Sequence, residues 1–474
     1  MKPDTSFTVP FLIDGETTTG STGASFPVYS PATGEALWNG ASASLEDVEA
    51  VVAAATAALP GWRATKFSKR RDLIIRAAQL LEERANELKA AMMAETAADD
   101  GWAGFNVSNA AGVLKGVASR VTSIEGRIPE SDSDATVLIL KEPYGVVLAI
   151  APWNAPIILA VRAIVFPLAA GNTVIFKSSE LSPRTHFLVA EVFQLAGFPK
   201  GTVNLLGHSR ENAPMITTAL IQAPAVRKVN FTGSTPIGRK IAALAGENLK
   251  PVTLELGGKA PMIVFEDADL AKAAEAGVFG AFHHAGQICM SCEKILVHKS
   301  IAAAFTTALK AGVTKMYGTS QVLIQSAGSK RVSELLFDAV KHGATLHPTL
   351  ENPSNPNEHH NVVVTDVTTD MALWRTESFG PVVMVAEFSD EAEAVRMAND
   401  TDYGLSAAVW TRDVARGIRI AKLIESGAVH INGPTVHDEV ALPHGGVKNS
   451  GYGRFGSTDG LEEFLTTKTI TFRG

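Results

Sequence analysis

The chain has 474 residues, 46% of them apolar and 19% charged, with a net charge of -7. That length exceeds what one hydrophobic core supports, so two or more domains are expected. An acidic balance without a long Lys or Arg run excludes a nucleic-acid partner, and the two cysteines, Cys289 and Cys292, are too few for a disulfide scaffold.

In chain order, Met1 to Asp14 carries charges and prolines without an apolar stretch behind a basic region. It does not read as a secretory leader, and the expected compartment is the cytoplasm. Val146 to Gly171 is strongly apolar, but Pro152, Asn154, Pro156, Arg162 and Pro167 interrupt it. A bilayer helix needs about 20 uninterrupted apolar residues, so the segment is predicted as a buried strand running into a helix, with no membrane contact. Val146 to Ala151, Thr173 to Lys177, Thr202 to Leu206 and Arg227 to Thr232 are short runs rich in Val, Ile and Leu, each followed by a polar turn and a helix-like stretch. Ser182 and Pro183 open a predicted helix from Arg184 to Ala196 that Gly197 closes. A second series follows Glu255: strand Ala260 to Phe265, helix Ala268 to Ala285, strand Lys294 to His298 and helix Ile301 to Lys315. This alternation predicts an α/β protein with parallel, doubly wound sheets in two successive domains.

Chemistry concentrates in the second half. Leu254-Glu255-Leu256-Gly257-Gly258-Lys259 is followed 34 positions on (289 minus 255) by Cys289, in Gly286-Gln287-Ile288-Cys289. A cysteine attacks electrophilic carbonyls, and a carboxylate activates the water that releases the product. The spacing of Cys289 and Cys292 also fits a thioredoxin-like pair, or a zinc site completed by His283 or His284. The first lacks a small domain to carry it; the second is disfavoured because Phe279 to Ala285 reads as a buried helix, so no metal is expected. Gly233 to Lys240 superficially matches a phosphate-binding P-loop, but Arg239 and Lys240 occupy the positions that motif reserves for Lys and for Ser or Thr. Gly233 and Ser234 with Pro236 still open a helix whose free N–H groups suit a pyrophosphate.

Several short runs share one order along the chain: Pro152-Trp153-Asn154, Phe176-Lys177-Ser178-Ser179-Glu180, Phe231-Thr232-Gly233-Ser234-Thr235, the Glu255 and Cys289 segments, Glu377-Ser378-Phe379-Gly380-Pro381 and Gly445-Gly446-Val447-Lys448-Asn449-Ser450-Gly451. In this order the chain resembles the aldehyde dehydrogenase superfamily along nearly its whole length. The resemblance implies a Rossmann-like NAD-binding domain from 1–122 and 143–253, a second α/β catalytic domain at 254–440, and a small β oligomerisation arm from 123–142 and 455–474. It implies a homodimer or homotetramer and the oxidation of a small-molecule aldehyde to the acid. In that reading Cys289 is the nucleophile, Glu255 the general base of thioester hydrolysis and Asn154 an oxyanion donor beside the Cys289 N–H. Lys177 and Glu180 hold the adenosine ribose, Gly233 and Ser234 the pyrophosphate, Glu377 the nicotinamide-side ribose and Phe379 the nicotinamide, with Trp153 a further cofactor-binding residue. Glu180 would repel a 2′-phosphate, so NAD is expected ahead of NADP.

Trp102 to Val107, Gly286 to Ser291 and Val429 to Gly433 are similar to aromatic-aldehyde members of the family, notably salicylaldehyde and vanillin dehydrogenases. Trp102, Phe105, Ile158 and Arg162 are the expected substrate-pocket residues, with Ile158 and Arg162 four apart on the helix face that Asn154 would share. Each has a plainer reading: Asn154 as a helix cap, Trp102 and Phe105 as core aromatics, Arg162 as half of a buried ion pair, Lys259 as a surface lysine. Three features depart from the family pattern: a shortened connection at Gly318-Thr319-Ser320-Gln321, His444 in place of an aromatic, and the second thiol of Cys292. A competing functional class is a non-redox thiol esterase, or a ligand-binding or structural relative.

Overall fold

The computed structural model describes residues 3–348 and 355–473. Met1, Lys2 and Gly474, at the ends of the expected cofactor domain and arm, lie outside the described residues.

The apolar runs become two sheets because strands buried on both faces need apolar side chains at every position. In the first sheet, five parallel strands lie in the order Val252–Glu255, Val226–Thr232, Val146–Ile150, Thr173–Lys177 and Val203–Leu206. Gly451–Tyr452 pairs antiparallel at one edge, and Phe11–Ile13 with Glu16–Thr18 at the other. The second sheet, of seven strands, runs in the order Thr345–His347, Val362–Thr365, Val382–Phe388, Cys292–His298, Ala260–Val264, Ser406–Trp410 and Ala428–Ile431, with only the first antiparallel. The strand Val252–Glu255 belongs to the first sheet, and the chain passes to the second sheet through residues 256–259.

The segment that tempted a membrane reading is the helix Pro156–Ala170, in which every residue is buried. It packs against the helices Asp100–Arg120 and Phe67–Glu83, which explains its apolar character without a bilayer. Among the described residues no helix is long and apolar enough to cross a membrane. Asn154 precedes this helix. Ala155 takes the cap position and no side chain caps it, so the anticipated Asn154 cap does not form.

Helix ends differ from the sequence reading. The predicted helix Arg184 to Ala196 spans Pro183–Leu195, and Ser182 sits at its N-cap without a capping side-chain bond. The predicted helix Ala268 to Ala285 ends at Phe282 and gives way to a short turn, His283–Gly286. His284, Ala285 and Gly286 there have φ of 48°, 56° and 69°. No helix continues through left-handed residues, and only the last of the three is a glycine that would announce the break.

Thr136–Pro143 and Leu465–Phe472 pair antiparallel along their full length, from Thr136 opposite Phe472 to Pro143 opposite Leu465. Arg127, ahead of the first strand, contributes one isolated bridge to Ile139.

Asn172 joins three segments of the chain: its side-chain oxygen accepts from Gly145 N–H at 2.9 Å, and its amide donates to the Pro167 and Phe464 carbonyls at 3.1 and 3.0 Å. Asn172→Ala is expected to cost about 1–3 kcal/mol by stranding these buried groups, read as a lower urea midpoint of the first unfolding transition.

Candidate active site

The carboxyl ends of the first sheet's parallel strands, where open α/β sheets bind ligands, and the amino ends of the strands Cys292–His298 and Val382–Phe388 of the second meet around a cavity of about 290 Å³. Its lining brings together Trp153, Asn154, Gly233, Ser234, Glu255, Cys289, Glu377 and Phe379. All eight come from the motifs read in the sequence, and strand pairing accounts for their convergence. Glu255 ends a strand in register with Thr232, directly before the Gly233-Ser234 turn, and Gly233 N–H donates to the Glu255 carbonyl at 3.1 Å.

Cys289 follows the left-handed turn. Gln287 fixes this loop: its backbone oxygen accepts from the Asn154 amide at 3.0 Å, its side-chain oxygen from Ile324 N–H at 3.0 Å, and its side-chain nitrogen donates to the His284 carbonyl at 3.2 Å. A carboxamide nitrogen carries two N–H groups, so Asn154 is oriented by one and retains another for an oxyanion. Close backbone approach explains the glycines. A Cβ on Gly258 would lie 2.4 Å from the Cys289 carbonyl oxygen, and one on Gly286 2.1 Å from that of Gly380. The shortened connection is well ordered: Ser320–Val322 pairs with Glu358–His360, and Gln321 bonds to Phe282, Ala285 and Asn361 at the foot of the catalytic loop.

Glu255 is fully buried and ion-paired with Arg162, whose guanidinium also donates to Thr232 Oγ1 at 3.2 Å and lies 4.5 Å from the Phe455 ring centroid. Burial alone would raise the Glu255 carboxyl; Arg162, with His444, outweighs it and holds the group far below the usual carboxylate range. Burial, and then the Glu255 charge, push the Cys289 thiol up. The two groups therefore rest as carboxylate and thiol.

On the cofactor side, burial and the neighbouring Glu293 raise Glu377 to about 7. Its carboxylate accepts from Gly258 N–H at 2.9 Å. Phe379, at φ 46°, meets Trp153 edge to face at 5.8 Å. Burial lowers Lys177 to about 8, with Glu180 opposing, and its Nζ contacts the His208 ring. Glu180 lines a second cavity of about 610 Å³ with Ser209 and Arg210. Ile324, Gln325 and Ala327 border both cavities, so the two lie side by side.

Of the expected pocket residues, Trp102 is buried and donates its indole N–H to the Asn154 carbonyl at 3.1 Å. Phe105 stacks on it at 5.5 Å and faces an outer cavity of about 370 Å³. Ile158 and Arg162 are buried on their helix, with Asn154 outside it in the preceding turn. Of its two readings, Arg162 takes the ion pair. His283 and His284 pack on the Trp102 ring at 5.0 and 5.7 Å, and among the described residues no cluster of three or more His, Cys, Asp or Glu is placed to hold a metal. Cys292 is a buried strand thiol that burial pushes far up.

Sequence reading missed the second buried pair. Lys259 is not at the surface: it is 1% exposed and bonds Glu293 at 2.7 Å. Glu293 accepts from Ser378 N–H, Ser378 Oγ and Phe379 N–H at 2.9 to 3.1 Å, so this ion pair pins the Glu377 to Phe379 loop. A glutamate inside the apolar run Cys292 to His298 was the available signal.

A thiol, a buried carboxylate and an oriented amide around one cavity are the groups that nucleophilic chemistry at a carbonyl requires. The chain belongs to the aldehyde dehydrogenase family, whose sequence model matches residues 18–470, and is an oxidoreductase acting on aldehydes. It is 45% identical to a vanillin dehydrogenase of a Pseudomonas species, over 98% of each chain, and 40% identical to a salicylaldehyde dehydrogenase of Pseudomonas putida, over 93% of each. It superposes with a TM-score of 0.95 and 37% identity on a crystal structure of Pseudomonas putida salicylaldehyde dehydrogenase complexed with salicylaldehyde, covering 98% of both chains.

Lys259→Met is expected to cost about 3–5 kcal/mol by stranding the Glu293 charge, read as a lower melting temperature. Glu293→Gln, added to it, should restore part of the loss because it removes that charge while keeping an acceptor for Ser378.

Proposed function

We propose that the protein oxidises an aromatic aldehyde of the vanillin or salicylaldehyde kind to its acid with NAD, through attack by Cys289 and water activation by Glu255. The observation that carries this reading is the convergence of Cys289, Glu255 and Asn154 on one cavity, with a second cavity lined by Glu180 beside it. When bound, the nicotinamide supplies the hydride acceptor. The residues do the remainder: the Cys289 thiol gives up its proton through Glu255 to solvent, Sγ bonds to the aldehyde carbon as the carbonyl π bond opens onto oxygen, and the Asn154 amide with the Cys289 N–H stabilises the developing oxyanion. Glu255 then takes a proton from the water that releases the acid.

The cofactor fits the residues present. Free N–H groups open the helix Thr235–Glu247 beside Gly233 and Ser234, with no side chain capping them. Lys177 and Glu180 stand at a strand end where ribose hydroxyls are bound in such sheets, and Glu377 and Phe379 flank the thiol. Aromatic preference is supported by the Trp102 and Phe105 stack behind Asn154 and by the chain's likeness to the two aromatic-aldehyde enzymes.

The domain division 1–122 with 143–253, 254–440, and the arm 123–142 with 455–474 belongs to this reading, and so does a homodimer or homotetramer. A two-stranded sheet is marginal alone, and this one exposes Leu140, Ile470 and Phe472, which suits pairing with a second copy. Two free thiols suit the cytoplasm.

With purified protein, NAD and a panel of vanillin, salicylaldehyde, benzaldehyde, hexanal and acetaldehyde, NADH should form fastest with the aromatics and not at all in Cys289→Ala. Glu255→Gln should give a single-turnover burst of NADH followed by a rate lowered by about 100-fold or more; unimpaired turnover in either variant would overturn the assignment. Glu180→Gln should raise kcat/KM for NADP relative to NAD by about tenfold, since it removes a charge that repels a 2′-phosphate, with Arg210 on the same cavity wall ready to receive one.

A further inference from the structure

Glu255 belongs to a closed ring of four charged groups. Its Oε2 meets Arg162; its Oε1 faces His444 Nε2 at 3.8 Å. The other ring nitrogen of His444, Nδ1, faces Asp438 Oδ1 at 3.8 Å, and Asp438 Oδ2 returns to Arg162 Nη1 at 3.9 Å. Three of the four are nearly sealed from water, with side-chain exposures of 5% for Arg162, 1% for Glu255 and 8% for His444. Asp438, at 26%, borders the outer cavity beside Phe105.

Two atoms in this ring have no hydrogen-bond partner although both are buried: Glu255 Oε1 and His444 Nε2. They face each other. Orphaned buried polar atoms are rare and require a reason, and catalytic hydrogen bonds often stand long before substrate arrives and tighten afterwards. The ion pair also presents a chemical difficulty. A carboxylate gripped by a guanidinium is a weak base, so Glu255 must loosen from Arg162 to accept a proton, and must shed that proton before the next turnover. Arg162 cannot receive it, because a guanidinium has no acceptor. Among the described residues ringing Glu255, His444 alone combines a basic nitrogen with a second contact leading to solvent.

We propose that His444, held by Asp438, is the positioning residue that receives the water-derived proton from Glu255 and conducts it to the outer cavity. The inference rests on Glu255 being the general base. Water adds its oxygen to the thioester carbonyl carbon and gives a proton to Glu255; the C–S bond breaks, sulfur leaves as thiolate, and the acid is freed. The proton on Glu255 Oε1 then passes to His444 Nε2 while the Nδ1 proton passes to Asp438 and to solvent. Nothing is oxidised or reduced in this step.

The charge environment of His444 is complete on every side. Glu255 comes from the first sheet, Arg162 from the helix Pro156–Ala170, and Asp438 from the segment before His444; His430, lowered to about 4 by burial, and His437, 4.8 Å from His430, close the cluster. The Arg454 guanidinium donates to the Gly446 and Gly453 carbonyls. Burial disfavours the charged His444 ring, but Asp438 and Glu255 outweigh it and raise the group above the ordinary imidazole value. As pH rises through that ionisation the ring loses a positive charge. Glu255 becomes a stronger base, and Nε2 is free to accept.

The test needs no nucleotide. With p-nitrophenyl acetate the nitrophenolate burst reports attack by Cys289, and the steady rate reports hydrolysis of the acyl enzyme. In wild type, deacylation should accelerate as pH rises through the His444 ionisation. In His444→Gln and His444→Phe the burst should remain, deacylation should fall on the order of 10–100-fold, and its pH dependence should flatten. Asp438→Asn, at the rim, should move the same ionisation down toward the ordinary imidazole range, and it decides the matter if both His444 variants lose the burst. Unchanged deacylation and pH profile in the His444 variants, or no shift in Asp438→Asn, would overturn the proposal. Glu255→Gln separates the two levels: if it deacylates like wild type, the general-base reading itself fails, whereas a slow Glu255→Gln beside a normal His444→Gln refutes the relay alone.

Discussion

A carboxylate withdrawn from water requires a compensating charge, and Glu255 is withdrawn completely at the end of an apolar strand. The compensation comes from Arg162, on a helix whose every residue is buried. Neither group is tolerable there without the other, so strand Val252–Glu255 and helix Pro156–Ala170 are bound into one relative placement. Much of the site follows from that placement. The turn before the helix carries Asn154, the strand in register with Glu255 leads to Gly233 and Ser234, and the passage into the second sheet begins at the next residue.

The same economy of charge recurs across the cavity. Lys259 and Glu293 form a second buried pair, and Glu293 spends its remaining acceptor capacity on the backbone that carries Phe379. One pair sets the hydrolytic side of the cavity and the other sets the cofactor side, with Cys289 between them. Structural electrostatics and reactivity are therefore not separable here. The arrangement that makes Glu255 bearable in the interior also weakens it as a base, which is why the orphaned contact with His444 matters to turnover.

Backbone geometry supplies the second constraint. Three successive left-handed residues, His284, Ala285 and Gly286, and the left-handed Phe379 are conformations costing about 1–3 kcal/mol each where the residue is not glycine. They persist because Gln287, Gln321 and Glu293 hold the surrounding backbone by hydrogen bonds. The shortened connection at Gly318 to Gln321 belongs to this bracing, since it delivers Gln321 to the base of the catalytic loop.

What the sequence determined by itself was what local pattern can carry. Apolar runs of strand length gave six of the eleven parallel strands to within two residues, and the ordered motifs singled out Cys289, Glu255 and Asn154, which the structure gathers around one cavity, because their chemistry is written in residue type and spacing. Tertiary structure decided whatever depends on two distant segments meeting. It made Arg162 the partner of Glu255, turned Lys259 inward to Glu293, and ended a helix at Phe282 where side-chain brackets from residues 287 and 321 enforce left-handed backbone. It also set His444 between Glu255 and Asp438. Burial and charge pairing are properties of the assembled interior, and a linear pattern registers only that a charged residue stands in an apolar run, without saying which opposite charge will neutralise it.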